Sequence, residues 1–260
     1  MLKKFIHDIK RYFRYSWVSA RSQLKSEVAN SYLNWIWWVL DPLCFMLIYT
    51  FIFGFVFQSS EQYFPIYIFI GLSMWDFLNR TLTESVKIVK RNKSIVSKVY
   101  FPKYILILTR VWANGFKMLI CFAIVIVMMI IFQVPISWNV LFFIPILLTL
   151  GLFTFGCACF LLHYGVYVED LANVVNLTMR FVFYLTGVFY NIEKRIPVVG
   201  NALNSYNPVA FLLSSMRESL IYGKTPNCWL LLLWFAVSLL LCVLGIRKIY
   251  KEENSYVKSI

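Results

Sequence analysis

Long apolar runs leave this chain few ways to fold. A helix that crosses a bilayer needs about 20 mostly apolar residues, and such runs occur at about 33–57, 63–82, 111–132, 138–162, 171–190 and 228–246. Of the 260 residues, 60% are hydrophobic and 14% charged, which is too little polar surface to coat a soluble globule. The missing coat implies lipid as the solvent. The runs predict an all-α membrane protein of one domain, 1–260, with six transmembrane helices and no soluble catalytic domain.

The flanks of these runs predict their orientation. Over 1–30, Leu2, Phe5, Ile6, Ile9 and Phe13 recur at helical spacing, and Lys3, Lys4, Lys10, Arg11, Arg14, Arg21 and Lys25 spread charge through the same stretch. That pattern predicts an amphipathic helix lying in the membrane surface, not a cleavable signal peptide, whose apolar core the cations would interrupt. A solvated basic arm is the plainer alternative. Lys and Arg also crowd residues 80–103 and the tail after Ile246, while the loops after the first and third spans hold none. Cytoplasmic flanks hold such an excess, so both termini are expected inside. The formal charge of +13 then reflects topology and anionic headgroups rather than nucleic-acid binding.

One basic stretch falls on the outer side, 191–227, with Lys194, Arg195, Arg217 and Lys224. Within it, the apolar pattern from Val209 to Ile221, bounded by Pro208 and Gly223, is too short to span. Backbone that enters a membrane without crossing must be shielded by protein or line a watery cavity, so short re-entrant helices are expected here. An ordinary interfacial helix is the alternative.

Polar residues inside spans are the candidates for function. Asn173, Asn176, Arg180, Tyr184, Gly187 and Asn191 recur three or four apart, so one face of the fifth span is polar along its length. A cation within a span is costly and usually faces water or a protein partner. The stripe therefore predicts the lining of a transport path, with packing against another helix or subunit as the alternative. In the second span, Ser73, Asp76, Arg80 and Thr83 share a face, and Asp76 can pair with Arg80 one turn later, as a structural ion pair or as a gate. The first span has Pro42 after Asp41, which bends an interior helix, and is rich in aromatics. Trp35, Trp37 and Trp38 suit an interfacial belt, whereas Tyr49, Phe51, Phe53, Phe55 and Phe57 could stack on sugar rings or pack against lipid.

Catalytic and metal motifs are missing from the sequence. There is no phosphate-binding loop, no metal-binding helix motif and no nucleophile elbow, so any ATP-driven work requires a separate subunit. The six cysteines lack disulfide or zinc spacing, and His7 and His163 are isolated. Glu169-Asp170 and Glu252-Glu253 are adjacent carboxylates whose side chains diverge on a helix.

Asn30-Ser31-Tyr32-Leu33-Asn34-Trp35-Ile36-Trp37 followed by Asp41-Pro42-Leu43 resembles the opening of polysaccharide and polyol-phosphate ABC exporter permeases. Ser97-Lys98-Val99-Tyr100-Phe101-Pro102-Lys103 is similar to that family's cytoplasmic loop, Tyr167 to Leu171 to the start of its fifth span, and Asn207-Pro208 with Arg217 to its outer re-entrant region. The resemblance implies a homodimer bound to two copies of an ABC ATPase that carries ATP and Mg, with no cofactor in this chain. The substrate would be a lipid-linked polysaccharide such as O-antigen or capsule, or a teichoic-acid-like polymer, exported across the cytoplasmic membrane. Trp37, Asp41, Tyr49 and Phe53 from the first span would line the channel with Asn173, Asn176, Arg180, Tyr184 and Asn191. The N-terminal helix and Arg91, Lys93, Lys98, Val99, Tyr100, Phe101, Pro102 and Lys103 would contact the ATPase. Two positions depart from the family pattern: Glu169 replaces a residue that is often basic, and Asp41 one that is commonly Asn. A permease for a small molecule or lipid, or a non-transport membrane component of glycan assembly, are the competing readings.

Overall fold

A computed structural model describes residues 2–29, 34–57, 61–98, 101–192 and 200–258, which are helical almost throughout and contain no strand. The helices are α1 (Leu2–Val28), α2 (Trp37–Tyr49), α3 (Phe64–Val86), the short α4 (Ile88–Arg91) and α5 (Lys93–Val96), α6 (Tyr104–Ile131), α7 (Phe143–Tyr167), α8 (Leu171–Leu185), α9 (Gly200–Tyr206), α10 (Pro208–Leu220) and α11 (Cys228–Lys258). Among the described residues, four segments are long and apolar enough to cross a bilayer: Trp37–Val56, Tyr104–Ile131, Trp138–Tyr167 and Cys228–Glu252. This is a multi-pass helical membrane protein.

Proline and glycine mark two departures from regular helix in the first span. Pro42 lies inside α2 and cannot donate to the carbonyl of Trp38 one turn back. That freed carbonyl instead accepts from the Cys121 thiol of α6 at 3.8 Å. Beyond Tyr49 the helix loosens into a π-helical stretch, Thr50–Val56. Gly54 within it lies so close to Phe64 that an added Cβ would stand 2.9 Å from the ring.

α3 is the central helix. Ile66 through Trp75 are buried without interruption, so protein surrounds this segment on all sides. α6, α7, α2, α8 and α10 all pack on it. α7 and α11 approach closely through glycines: a Cβ on Gly156 would stand 2.8 Å from Leu241, and one on Gly245 would stand 2.6 Å from Cys159. Such small residues let backbones meet where lipid supplies no hydrophobic drive between helices.

α1 is pinned at both ends rather than free. Near its start, Asp8 accepts from the Tyr250 hydroxyl at 2.5 Å, and Tyr250 contacts the Tyr104 hydroxyl at 3.1 Å. At its far end the Lys117 ammonium donates to Glu27 at 2.5 Å. Trp17 and Phe13 meet Trp112 of α6 edge-on between these points. α1 is therefore packed on the bundle and is not a detached arm.

Helix ends differ from the apolar runs where charge or glycine intervenes. α6 begins at Tyr104, well before the run at 111–132, because Arg110 is absorbed by an ion pair with Glu84 at 3.0 Å. α8 stops at Leu185, short of Tyr190, and the chain turns at Gly187 with φ of 64°. α10 starts at Pro208, where the Asn207 side chain caps the amides of Val209 and Ala210.

A candidate translocation surface

α8 presents three faces. Val175 and Met179 turn inward and are buried, while Val174, Leu177, Phe181 and Leu185 form an exposed apolar row. Between them runs the polar row, with Asn173, Asn176, Arg180 and Tyr184 all exposed. The last two members of the expected stripe behave otherwise: Gly187 is buried in the turn and Asn191 is half-buried. Arg180 forms no ion pair among the described residues. It borders an open recess of about 400 Å³ lined by Trp75 and Asn79 of α3 and by Asn176, Met179 and Phe183 of α8.

Aromatic residues join α2 to the end of α8. Phe189 is the hub: its ring is 4.5 Å from Tyr49, 5.1 Å from Phe53 in near-parallel stacking, and 4.8 Å from Phe183 edge-on. Tyr184 approaches the same ring at 6.2 Å. The structure thus collects Tyr49, Phe53 and Tyr184 around a residue that the sequence did not single out, because Phe189 lies in a turn outside any helical repeat. Trp37 is exposed near the opposite end of α2 and takes no part in this group.

Arg217 fixes that turn. Its guanidinium donates from Nε to the Tyr67 carbonyl at 3.2 Å, from Nη1 to Gly187 at 2.9 Å and from Nη2 to Val188 at 2.7 Å. It also lies 3.6 Å over the Tyr67 ring. Planar geometry lets one side chain grip three backbone oxygens, which a lysine ammonium cannot match. Gly71 makes room for it, since a Cβ there would stand 2.4 Å from Nη2. Arg217 of α10 therefore ties α3 to the two residues that precede Phe189. The sequence marked Arg217 only through its place in an outer motif, and the carbonyls it binds are far away in the chain.

Towards the other end of α3, Arg80 bridges two helices. It donates to Asp76 at 2.8 Å, as the spacing predicted, and to Asp41 of α2 at 3.2 Å, which no local pattern could reveal. Asp41 is thereby engaged with α3, and half of its side chain remains exposed.

The loop over 91–103 divides in two. Arg91, Lys93 and Lys98 are exposed, whereas Phe101, Pro102 and Lys103 are buried, with Phe101 packed 5.9 Å from Tyr15 of α1. Val99 and Tyr100 lie outside the described residues. The buried trio supports the loop from within, and the three cations form its accessible surface. Beside the loop, Lys90 donates to Glu169 at 3.1 Å and holds that exposed carboxyl below the usual carboxylate range.

Residues 16–221 match the model of the ABC-2 type transporter family. The chain belongs to that family. Three curated relatives extend the likeness over nearly all of its length. Two are O-antigen export system permease proteins RfbA of Klebsiella pneumoniae: one is 27% identical over 243 residues, 93% of each chain, and the other 27% identical over 208 residues, 79% of this chain and 80% of the relative. A third, of the same name from Myxococcus xanthus, is 24% identical over 239 residues, 92% of each. As an ABC-2 type transporter, this protein is a transporter membrane subunit, and the motif resemblance holds at that level.

Proposed function

We propose that this chain is the transmembrane subunit of an ATP-driven exporter that moves a lipid-linked polysaccharide across the cytoplasmic membrane. The family membership and the names of the relatives set the frame, and the observation that carries the reading is the displayed polar row of α8. Asn173, Asn176 and Arg180 are exposed, and the last two border an open recess beside α3, where a second copy of the chain would complete a polar conduit. A homodimer bound to two copies of an ABC ATPase fits this geometry.

In this arrangement α3 and α8 cross the membrane with the four long apolar segments, giving six spans in one domain with both termini cytoplasmic. α3 does so inside a protein sheath. α8 is 15 residues long, about 22 Å, and completes its path through the turn at 186–190. α9 and α10 form the outer re-entrant pair within 191–227. ATP-driven closure of the partner subunits pushes on the loop bearing Arg91, Lys93 and Lys98 and parts the two copies of α8, and Tyr49, Phe53 and Tyr184 offer sugar rings flat contacts without fixing them.

Copurification of the chain with an ABC ATPase, and loss of one surface glycan when the chain is depleted, test the assignment. Retention of every surface glycan would overturn it. Within the assembly, Arg180→Ala should block export while leaving the complex intact, and unchanged export would remove Arg180 from the path.

A further inference from the structure

A second recess lies on a different side of the protein, between α1 and α6. It measures about 290 Å³, and its walls are almost wholly apolar: Trp17, Leu24 and Val28 from α1 face Trp112 and Phe116 from α6. Arg21 and Lys25, one turn apart on α1, border the same recess. No acidic side chain lines it. The nearest carboxylate along α1, Glu27, is already taken by Lys117, and neither Arg21 nor Lys25 has an ion pair among the described residues.

The recess also continues into a surface that meets lipid. Phe116, Leu119, Ile126 and Ile130 follow one face of α6 at helical spacing, and they are 45%, 52%, 59% and 66% exposed. An apolar track of this kind has no use in water, and two unpaired cations at one end of it are placed where a headgroup would lie.

We infer that this groove holds an anionic phospholipid. One acyl chain lies over the Trp17–Trp112 pair, beside Leu24 and Val28, and runs on along Phe116, Leu119 and Ile126, and the phosphate meets Arg21 and Lys25. Because side chains around this groove and the Glu27–Lys117 pair beyond it are among the contacts that hold α1 to α6, the bound lipid adds to the packing of α1 on the bundle. The site uses no residue of the proposed conduit and requires only that α6 cross a membrane.

The test reads the tryptophans themselves. The purified full-length protein is placed in phosphatidylcholine vesicles holding a small fixed fraction of phosphatidylglycerol, with bromine quenchers on the acyl chains of one lipid or the other at equal mole fraction. Two cations near a surface favour an anionic headgroup on the order of tenfold, so brominated phosphatidylglycerol should quench well beyond brominated phosphatidylcholine. Arg21→Gln with Lys25→Gln keeps all nine tryptophans and should abolish the excess. Trp112→Phe removes a reporter beside the groove and should reduce it. Equal quenching by the two lipids, or an excess that survives the double substitution, would overturn the assignment. The vesicles contain no glycan carrier, so a positive result reports a membrane phospholipid and not the exported substrate.

Discussion

Arg217 and Arg180 are both arginines in apolar surroundings, and the protein treats them in opposite ways. Arg217 is 3% exposed and aims three nitrogens at three backbone carbonyls, with Gly71 trimmed to admit it. Arg180 is exposed over a recess and holds no carboxylate among the described residues. A charge whose donors end on fixed carbonyls can only maintain geometry. A charge left on display is available to something that arrives from outside, and the hydrogen-bond inventory around each side chain separates the two roles.

The largest effect should come from Arg217→Met, which fills similar space but leaves the Tyr67, Gly187 and Val188 carbonyls without their donor. An unsatisfied buried group costs roughly 1–3 kcal/mol, so a loss of about 3 kcal/mol or more is expected, read as a lower unfolding temperature in detergent. Arg217→Lys should not restore it. Gly71→Ala should act through the same grip, at about 1–3 kcal/mol for overpacking. Combined with Arg217→Met it should add less than its own effect, since the methyl group then meets no guanidinium. Full additivity would show that the two residues are not one device.

Arg180→Ala reverses the pattern. Its stability should stay within about 0.5 kcal/mol of the parent, as for an exposed site, while polymer export falls sharply. A fall in unfolding temperature matching that of Arg217→Met would erase the contrast. Asp41→Asn removes one of the two carboxylates on Arg80, a partly exposed pair, and should cost about 0.2–1 kcal/mol. The smallest effect belongs to Glu169→Gln. Lys90 lowers the Glu169 carboxyl, so the pair's contribution is present at neutral pH and disappears as acid titrates that carboxyl below its ordinary range. The parent and Glu169→Gln should therefore converge in acid, and any difference at neutral pH should shrink with added salt.

Local periodicity explains what could be read in advance. The helices themselves, the Asp76–Arg80 pair and the polar row of α8 all follow from 3.6-residue spacing. The start of α10 was also legible, from Pro208. Contacts between distant segments carry no such signature. Asp41 meets Arg80 across 39 positions, and Arg217 reaches Tyr67 across 150. Phe189 organises three expected aromatics from a turn, where no repeat exists to mark it. Phe101, Pro102 and Lys103 read as part of a polar loop because their neighbours are cationic, yet all three are buried, with Phe101 against Tyr15 of α1.

The enclosure of α3 also bears on how the protein is made. Asp76, Arg80 and Glu84 lie in one half of a helix, and each charge near the centre of a membrane segment opposes translocon insertion by roughly 2.5–3.5 kcal/mol. Released alone into the lipid during synthesis, this segment would tend to slip back towards the ribosome. Its partners flank it on both sides: Asp41 arrives earlier in translation and Arg110 later. In the proposed six-span arrangement, the nascent chain would therefore hold α3 at the translocon's edge until both neighbours have emerged.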